Sequence, residues 1–514
     1  MKNPLVLTID LGTQSVRSSL YNKKGDTVAF EKITFEPAFY SKEPGWAEQN
    51  PDFYFEKVKL SVKNLMEKVG DLKNDIIAFS MTTIRDSVVF LDKYNKPLRD
   101  VILWLDQRRV QPKEKIPFIY RAIYRLADMT DTANFNRQRT MGLWVKEYEP
   151  KIWGKTKKYV NISTYLTYLL IGRLADSPSQ CVGHFPLHYR KRKWYNDHAL
   201  KGVIYGLPKC MMPELVHSGE VVGTIKAELA KELGLPENLK MIASGSDKGC
   251  ETVGLGALSP TIASLSFGTG STIEISNKKY IEPEKFLPSY PAAVPGFFNM
   301  EVLIYRGFWM TNWFVEQFGA KYKEEAKQAN MTVENYLNSK LHLIKPGCEG
   351  LALQPYWGPG LARPLSRGSI VGFNERHTNL HVYRAIIEGI MYALRDSMIR
   401  IEHKQHQKVQ KVMVAGGGAQ SDEVCQITAD VFGLPVYRAQ TCETSSLGCA
   451  IVTFTGAGEF ASYEEAISMM SHPSEPFMPN KETHKIYDKN FFEIYMKLYP
   501  KLKNVYKKCT KYGK

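Results

Sequence analysis

Four glycine-containing turns in the sequence each follow an apolar run, with acidic, hydroxyl or amide side chains in the turn or beside it. In LTIDLGTQSVRSSLYN, Asp10 closes the apolar run and small polar side chains follow it. The second half of the chain repeats this layout in SLSFGTGSTIEIS. Glycine lets backbone N–H groups crowd toward a ligand, and such groups suit phosphate oxygens. The Asp10 turn (residues 10–15) and the Thr269 turn (residues 268–270) therefore predict contacts with a phosphate chain.

The other two are the Asp247 turn (residues 245–247) and the triple-glycine turn (residues 416–418). NLKMIASGSDKGCETVGLGAL predicts a strand, a bend that carries Asp247, and a helix. KVMVAGGGAQSDEVCQITADVFGLPVY predicts a strand, the triple-glycine turn, a helix and another strand. An aspartate on a turn can accept a proton from a substrate hydroxyl, but Asp is also a favoured N-cap residue. Spacing alone leaves both interpretations of Asp247 open.

Strands and helices alternate along the chain, which indicates an α/β protein. Residues 5–21 predict two strands around the Asp10 turn, and DIIAFSMTT and VVFLD predict two more. PDFYFEKVKLSVKNLMEKV has helical spacing and begins with Pro and Asp, as helices often do, and STYLTYLLIGRL predicts a second helix. Because the strand–turn–strand layout recurs around Thr269, we expect two related halves.

Length and composition limit the class of protein. The chain has 514 residues, too many for one hydrophobic core of the usual size, so we expect two large domains. No apolar run reaches the length that spans a bilayer, and MKNPLVLTID is too short and too soon acidic for a signal peptide. We therefore expect a cytoplasmic protein without a membrane partner. The 8 cysteines stand singly, without the spacing of a disulfide framework or a zinc site.

Part of the formal net charge of +15 lies in HYRKRKWYND and in the C-terminal run YMKLYPKLKNVYKKCTKYGK. Neither run contains a nucleic-acid-binding motif, so we favour solvated surface and expect no nucleic-acid partner. A basic chain also attracts anionic substrates such as a nucleotide. Two common nucleotide motifs are excluded, because the Walker pattern is absent and GGGAQS departs from the Rossmann fingerprint.

Seven segments resemble the FGGY family of carbohydrate kinases and follow that family's order. They are IDLGTQSVR, PGWAEQNPDFYF, ILWLDQRR, GSDKGCETVGLGA, SFGTGS, RGSIVGFNERHTNLHVYRAIIEGI and GGGAQSDEVCQITADVFGLPV. The resemblance implies two actin-like (RNase H-like) domains of the α/β class with an ATP cleft between them. It also implies an ATP-dependent kinase of a small sugar or polyol. The expected limits are residues 1–250 and 251–460 for the two domains, with a helical C-terminal extension over 461–514.

The resemblance further implies roles for particular residues. Asp247 is the expected catalytic base, and Asp10 is the expected ligand of Mg²⁺, directly or through water. The expected ATP contacts are Thr13, Gln14, Ser15, Arg17, Gly268, Thr269, Gly270, Gly417, Gly418 and Asp422. The expected substrate contacts are Arg85, Asp86, Trp104, Asp247 and Lys248.

Structural roles remain open for several of these residues. The acidic and hydroxyl residues of the Asp10 turn are common in turns for conformational reasons alone. Asp422 could complement the dipole of the helix that it begins. Arg85 and Asp86 could form a surface ion pair, which would contribute little stability. Trp104 could pack in the core instead of forming an apolar wall for the substrate.

Two departures from the family pattern leave the substrate open. Met141 stands three residues before a tryptophan, where the family usually has Lys, and Lys248 replaces the Gln of glycerol kinases. Arg85 with Asp86 favours a polyol or a short open-chain sugar, whereas Lys248 favours an acidic substrate such as a sugar acid. Two other kinds of protein stay as alternatives: an actin- or chaperone-like ATPase without a sugar acceptor, and an inactive kinase-derived protein. A homodimer is left open as the assembly.

Overall fold

The computed structural model describes residues 3–284, 287–358, 363 and 365–512. The chain divides into two compact units. Unit 1 comprises Met1–Gly256, Tyr290–Phe298 and Glu443–Ser471, and unit 2 comprises Ala257–Ser289, Asn299–Cys442 and His472–Lys514. The domain limits that we expect from the sequence remain predictions.

The β-strands are β1 (Leu5–Leu11), β2 (Ser15–Tyr21), β3 (Thr27–Thr34), β4 (Glu48–Gln49), β5 (Ile76–Thr83), β6 (Val88–Leu91), β7 (Val101–Ile102), β8 (Lys158–Asn161), β9 (Ala175–Asp176), β10 (Leu187–His188), β11 (Lys193–Trp194), β12 (Glu214–Leu215), β13 (Val221–Thr224), β14 (Lys240–Ile242), β15 (Ile262–Phe267), β16 (Ser271–Asn277), β17 (Tyr290–Pro291), β18 (Phe298–Ile304), β19 (Ala352–Gln354), β20 (Ser369–Val371), β21 (Lys411–Ala415) and β22 (Val436–Arg438).

The α-helices are α1 (Pro51–Val69), α2 (Phe118–Leu126), α3 (Thr130–Arg139), α4 (Met141–Tyr148), α5 (Pro150–Lys155), α6 (Ile162–Ile171), α7 (Gly202–Tyr205), α8 (Ala227–Leu233), α9 (Asp247–Gly254), α10 (Trp309–Phe318), α11 (Ala320–Gln328), α12 (Val333–Ser339), α13 (Asn379–Gln405), α14 (Asp422–Phe432), α15 (Thr444–Gly456), α16 (Tyr463–Met470), α17 (Lys481–Asn490) and α18 (Met496–Tyr512). None of the helices in the described part of the chain combines the length and apolar composition needed to cross a membrane.

A six-stranded sheet forms the centre of unit 1, in the order β13-β14-β5-β1-β2-β3. β1 is antiparallel to β2 and parallel to β5, and β14 is also parallel to β5. The carboxyl ends of β14, β5 and β1 therefore lie at one edge of the sheet. The Asp247 turn follows β14, Arg85 follows β5, and the Asp10 turn follows β1, so the topology alone gathers three predicted site segments.

The sheet of unit 2 repeats this pattern with β18-β16-β15-β21-β22. β15 is antiparallel to β16 and parallel to β21, and β21 is parallel to β22. The Thr269 turn and the triple-glycine turn follow β15 and β21, so they lie at the same edge of this sheet. The same order of antiparallel and parallel pairs in both sheets confirms the prediction of two related halves.

Helix α1 shows why the predicted elements form where they do. The side chain of Asn50 accepts a hydrogen bond from the Asp52 N–H, and Pro51 occupies the first turn, where its missing N–H costs nothing. One face of the helix is buried, including Tyr54, Val58 and Leu65. The helix covers the sequence predicted for it, and the predicted strands around all four turns are confirmed.

Candidate active site

The Asp10 turn is a tight bend between antiparallel strands. The Gly12 N–H donates to the Ser15 carbonyl at 2.9 Å, and β1 and β2 pair Asp10 directly with Arg17. Arg17 Nη1 lies 3.7 Å from Asp10 Oδ2, and its Nε lies 3.0 Å from Glu443 Oε2. Arg17 thus already has two carboxylate neighbours, so its contact with ATP phosphate stays a prediction.

The carboxylate of Asp10 is almost fully buried, with 5% of the residue exposed. Burial raises the pKa of Asp10 to about 7, against the lowering effect of Arg17. Repulsion from Asp247, Glu443 and Glu251 adds to the rise. The Asp10 and Asp247 turns therefore lie close enough for their charges to interact, and the site has a surplus of negative charge.

Trp104 contacts the Asp10 turn. Its indole Nε1 donates to Thr13 Oγ1 at 2.9 Å, and its backbone N–H donates to Ser87 Oγ at 3.2 Å. With 46% of its surface exposed, Trp104 does not serve as a core residue. Of the remaining predicted residues in this turn, Ser15 is buried and Gln14 is exposed.

Asp247 is the first residue of α9, but it does not cap the helix. The N-cap is Ser246, whose side chain accepts from the Gly249 N–H. Asp247 Oδ1 accepts instead from the Lys248 N–H at 2.8 Å. Burial raises the pKa of Asp247, and the positive charges of Arg85 and Lys248 offset part of that rise. The interpretation of Asp247 as the N-cap is therefore wrong, while its catalytic role stays a prediction.

Lys248 has a carboxylate partner one helical turn away. Its Nζ lies 3.2 Å from both carboxylate oxygens of Glu251. The charge of the ammonium group is thus neutralised by a neighbouring carboxylate. This weakens the argument that Lys248 binds the acidic group of a substrate such as a sugar acid.

Arg85 and Asp86 each have partners from other segments. The guanidinium of Arg85 lies 5.4 Å from the centroid of the Tyr290 ring. Asp86 Oδ1 accepts from the His184 N–H at 2.8 Å, and its Oδ2 lies 2.6 Å from His184 Nδ1. Although burial acts to raise the pKa of Asp86, the charge and hydrogen bonds of His184, with Arg85, lower it overall.

The backbone around the Asp86–His184 pair is constrained at two positions, Asp86 and Gly183. Asp86 has φ +55°, a left-handed conformation that is uncommon for a residue other than glycine. Gly183 has φ +117°, and a Cβ there would lie 2.5 Å from Asp86 Cγ. His184 was not among the residues that sequence reasoning selected. It lies in the loop between β9 and β10, and no motif in that loop indicates its partner.

In unit 2, Phe308 links the Thr269 turn to the triple-glycine turn. The Phe308 N–H donates to the Gly268 carbonyl at 3.1 Å, and its ring stacks on Phe267 with 5.0 Å between centroids. A Cβ on Gly418 would lie 2.5 Å from the same ring, whereas a Cβ on Gly417 would meet no atom within 4 Å. Gly418 is thus required by packing, and the backbone at Gly417 stays accessible.

This difference predicts that alanine substitutions at Gly418 and Gly417 affect stability and ATP binding differently. Gly418→Ala should destabilise unit 2 by about 1–3 kcal/mol, because the new methyl group overpacks Phe308. Gly417→Ala should leave stability within about 0.5 kcal/mol and raise KM for ATP, if adenosine approaches the backbone there. Thermal unfolding and ATP saturation curves of both variants test this, and equal melting temperatures would contradict it.

Asp422 is the first residue of α14, and its N-cap is Ser421. The Asp422 carboxylate is 72% exposed and forms an ion pair with Arg438. The exposed, ion-paired carboxylate is compatible with both roles considered for Asp422. It can contact ATP, and it can complement the positive end of the helix dipole.

Comparison with known proteins identifies the family. The N-terminal domain model of the FGGY family of carbohydrate kinases matches residues 5–254, and the C-terminal domain model matches residues 263–457. A xylulose kinase of Lactococcus lactis subsp. lactis (strain IL1403) is 28% identical and covers 96% of each chain. A gluconokinase of Bacillus licheniformis is 25% identical and covers 99% of this chain and 98% of its own.

Among solved structures, the ligand-bound xylulose kinase from Lactobacillus acidophilus is similar, with a TM-score of 0.83 and 22% identity. The alignment covers 98% of this chain and 99% of that one. The fold expected from the sequence, with two actin-like domains, is confirmed. An ATPase without a sugar acceptor is not favoured. The chain belongs to the FGGY family of carbohydrate kinases, which use ATP to phosphorylate a hydroxyl of a sugar or polyol.

Proposed function

We propose that this kinase acts on a short open-chain ketose or polyol, with Asp247 as the catalytic base. One observation carries the proposal. The charge of Asp247 interacts both with Asp10 of the predicted phosphate turn and with Arg85 of the predicted substrate pair. The three residues to which we assign the base, a phosphate or metal contact and a substrate contact are therefore within electrostatic range in unit 1.

The reaction requires little covalent chemistry from the protein. The substrate hydroxyl oxygen attacks the γ-phosphorus, its proton passes to the Asp247 carboxylate, and the bond to the β-phosphate oxygen breaks to release ADP. A carboxylate with a raised pKa is a stronger base than an ordinary aspartate, so burial of Asp247 suits this role.

The residues present fit a magnesium ion beside ATP. Mg²⁺ uses one or two protein carboxylates together with phosphate oxygens and water. Asp10 is buried with its pKa raised to about 7, so its negative charge is poorly compensated and a cation would stabilise it. Within the described ranges, no cluster of three or more acidic, His or Cys side chains offers a complete protein-only site. Bound there, Mg²⁺ would neutralise phosphate charge.

The remaining ATP contacts follow from the turns. Thr13, Gln14 and Ser15 supply hydroxyl, amide and backbone N–H donors for phosphate oxygens, and the Thr269 turn supplies further backbone N–H groups. The accessible backbone at Gly417 suits adenosine.

The substrate class follows from charge. The relatives include xylulose kinases, a gluconokinase and a glycerol kinase, so both neutral and acidic substrates occur in the comparison set. Lys248 is paired with Glu251, which weakens the main reason to expect a sugar acid. Arg85 offers hydrogen-bond donors, the Asp86–His184 pair offers an acceptor, and Trp104 offers an apolar wall. These groups favour a neutral polyhydroxylated chain.

A substrate panel tests this choice. ADP release with Mg-ATP should rise above its basal rate with D-xylulose or glycerol, and less with D-gluconate. Stimulation by gluconate alone would contradict the neutral substrate.

The homodimer stays a prediction, which sedimentation equilibrium would test.

His184 provides a separate prediction about substrate binding. We expect His184→Ala to raise KM for the sugar by about 10-fold or more, because Asp86 loses the hydrogen bond between His184 Nδ1 and its charged carboxylate. KM for ATP should change little. His184→Asn should recover part of the loss, since its amide can replace Nδ1 as donor. His188→Ala, in the same segment, is the control, and equal effects of His184→Ala and His188→Ala would contradict the prediction.

A further inference from the structure

Unit 1 contains a cavity of about 530 Å³ that the proposed reaction does not use. Its lining includes Ser179, Arg192, His217, Glu220 and Tyr463. The cavity shares no residue with the predicted ATP and substrate contacts. Its volume is within the range of small-molecule sites.

Arg192 brings a positive charge to this cavity without a carboxylate partner. The residue is partly buried, and its guanidinium lies 4.3 Å from the centroid of the Phe298 ring. Nη2 donates to the Phe297 carbonyl at 3.2 Å. In the described part of the chain, no Asp or Glu forms an ion pair with Arg192. Guanidinium groups away from water are usually paired with carboxylate or phosphate, so this one is suited to an incoming anion.

Two hydroxyl groups add hydrogen-bond donors. Ser179 is 2% exposed, and its buried Oγ has no hydrogen-bond partner. A buried hydroxyl without a partner is unfavourable, so a ligand that accepts its proton would be stabilised. Burial raises the pKa of Tyr463 to about 12, so this phenol keeps its proton at neutral pH and can also donate.

The single carboxylate of the lining does not cancel this charge. Glu220 is exposed, and its Oε2 accepts from the His217 N–H at 3.1 Å. Arg190, Lys191 and Lys193 are sequence neighbours of Arg192 and carry further positive charge. The basic run that the reaction does not explain therefore contributes one cation, Arg192, to a cavity that also has hydroxyl donors.

We propose that this cavity binds a small anionic metabolite through its phosphate or carboxylate group, with Arg192 as the charge partner and Ser179 as a hydrogen-bond donor. This anion site is proposed whichever sugar the kinase phosphorylates. The cavity lies next to the Asp247 turn, since the carbonyl of its lining residue Ser179 accepts from the N–H of Ser246, the residue before Asp247.

Equilibrium dialysis with ³²P-labelled orthophosphate tests the site in the full-length protein. Saturating Mg-ADP is included so that the nucleotide phosphate contacts are occupied. We expect wild-type protein to bind phosphate with a Kd of about millimolar order. Arg192→Gln should weaken binding about 10-fold or more, and Ser179→Ala about 2- to 10-fold. Arg190→Gln, in the same basic run but outside the lining, is the matched control and should stay within about twofold.

Citrate as competitor distinguishes the two ligand chemistries. Displacement of phosphate by citrate would support a site for either group, and failure to displace would support a phosphate-selective site. The proposal is overturned if neither anion binds, or if Arg190→Gln weakens binding as much as Arg192→Gln. Melting temperatures show whether each variant is folded. If Arg192→Gln does not fold, the Ser179→Ala variant tests the site independently.

Discussion

Asp247→Asn is expected to lower kcat by about 10²- to 10⁴-fold, with KM for ATP nearly unchanged. Asn is nearly isosteric with Asp but cannot take the proton of the substrate hydroxyl. The helix should persist, because Ser246 and not Asp247 caps α9. A coupled assay of ADP release at saturating sugar measures kcat, and thermal unfolding confirms the fold.

Glu251→Gln is the matched control, since it removes a carboxylate from the same helix without removing the proposed base. Its kcat should stay within about tenfold of wild type. The pH profile adds a second readout. Because burial raises the pKa of Asp247, the rate should fall on acidification at a pH above the usual range of aspartate. Equal losses in Asp247→Asn and Glu251→Gln would contradict the assignment of the base.

Asp10→Asn is expected to lower activity and, without metal, to raise stability. The folded pKa of Asp10 is about 7 and the ordinary value is 3.8, so the folded state binds this proton more tightly than the unfolded state. Stability of the metal-free wild type therefore falls as pH rises from about 4 to about 7. Asn does not ionise, so at pH 8 the variant should be more stable by roughly 2–4 kcal/mol.

The same substitution should lower kcat by about 10²-fold at limiting Mg²⁺, because a charge that would hold the ion is lost. Chemical denaturation in EDTA at pH 5 and pH 8 measures the stability effect. Asp71→Asn, on an exposed residue, should show no comparable gain. A wild-type stability that does not fall between these pH values would contradict the buried charge of Asp10.

Much of the fold and part of the site could be predicted from local patterns. The Asp10 and Thr269 turns recur because both halves use the same antiparallel pair, and α1 begins where Asn50 and Pro51 favour it. The parallel neighbours of these strands then bring Arg85 and Asp247 to one sheet edge. The turns and the start of α1 depend on residues close in sequence, so they can be recognised without a structure, whereas the parallel pairing joins strands that are far apart in the chain.

The rest depends on contacts between distant segments. His184 meets Asp86 across 98 positions, and no local pattern indicates that contact. Arg192 is part of a basic run that predicts solvated surface, yet its side chain lines a cavity. The pairing of Lys248 with Glu251 is a local contact that their spacing on a helix indicates, and it weakens the argument from Lys248 for an acidic substrate.

The most direct test is ³¹P NMR of the products formed from Mg-ATP and the best sugar of the panel. The account predicts a phosphomonoester signal that grows in step with ADP in the wild-type protein and is nearly absent in Asp247→Asn. Formation of ADP and inorganic phosphate alone, at the same rate in both proteins, would contradict it.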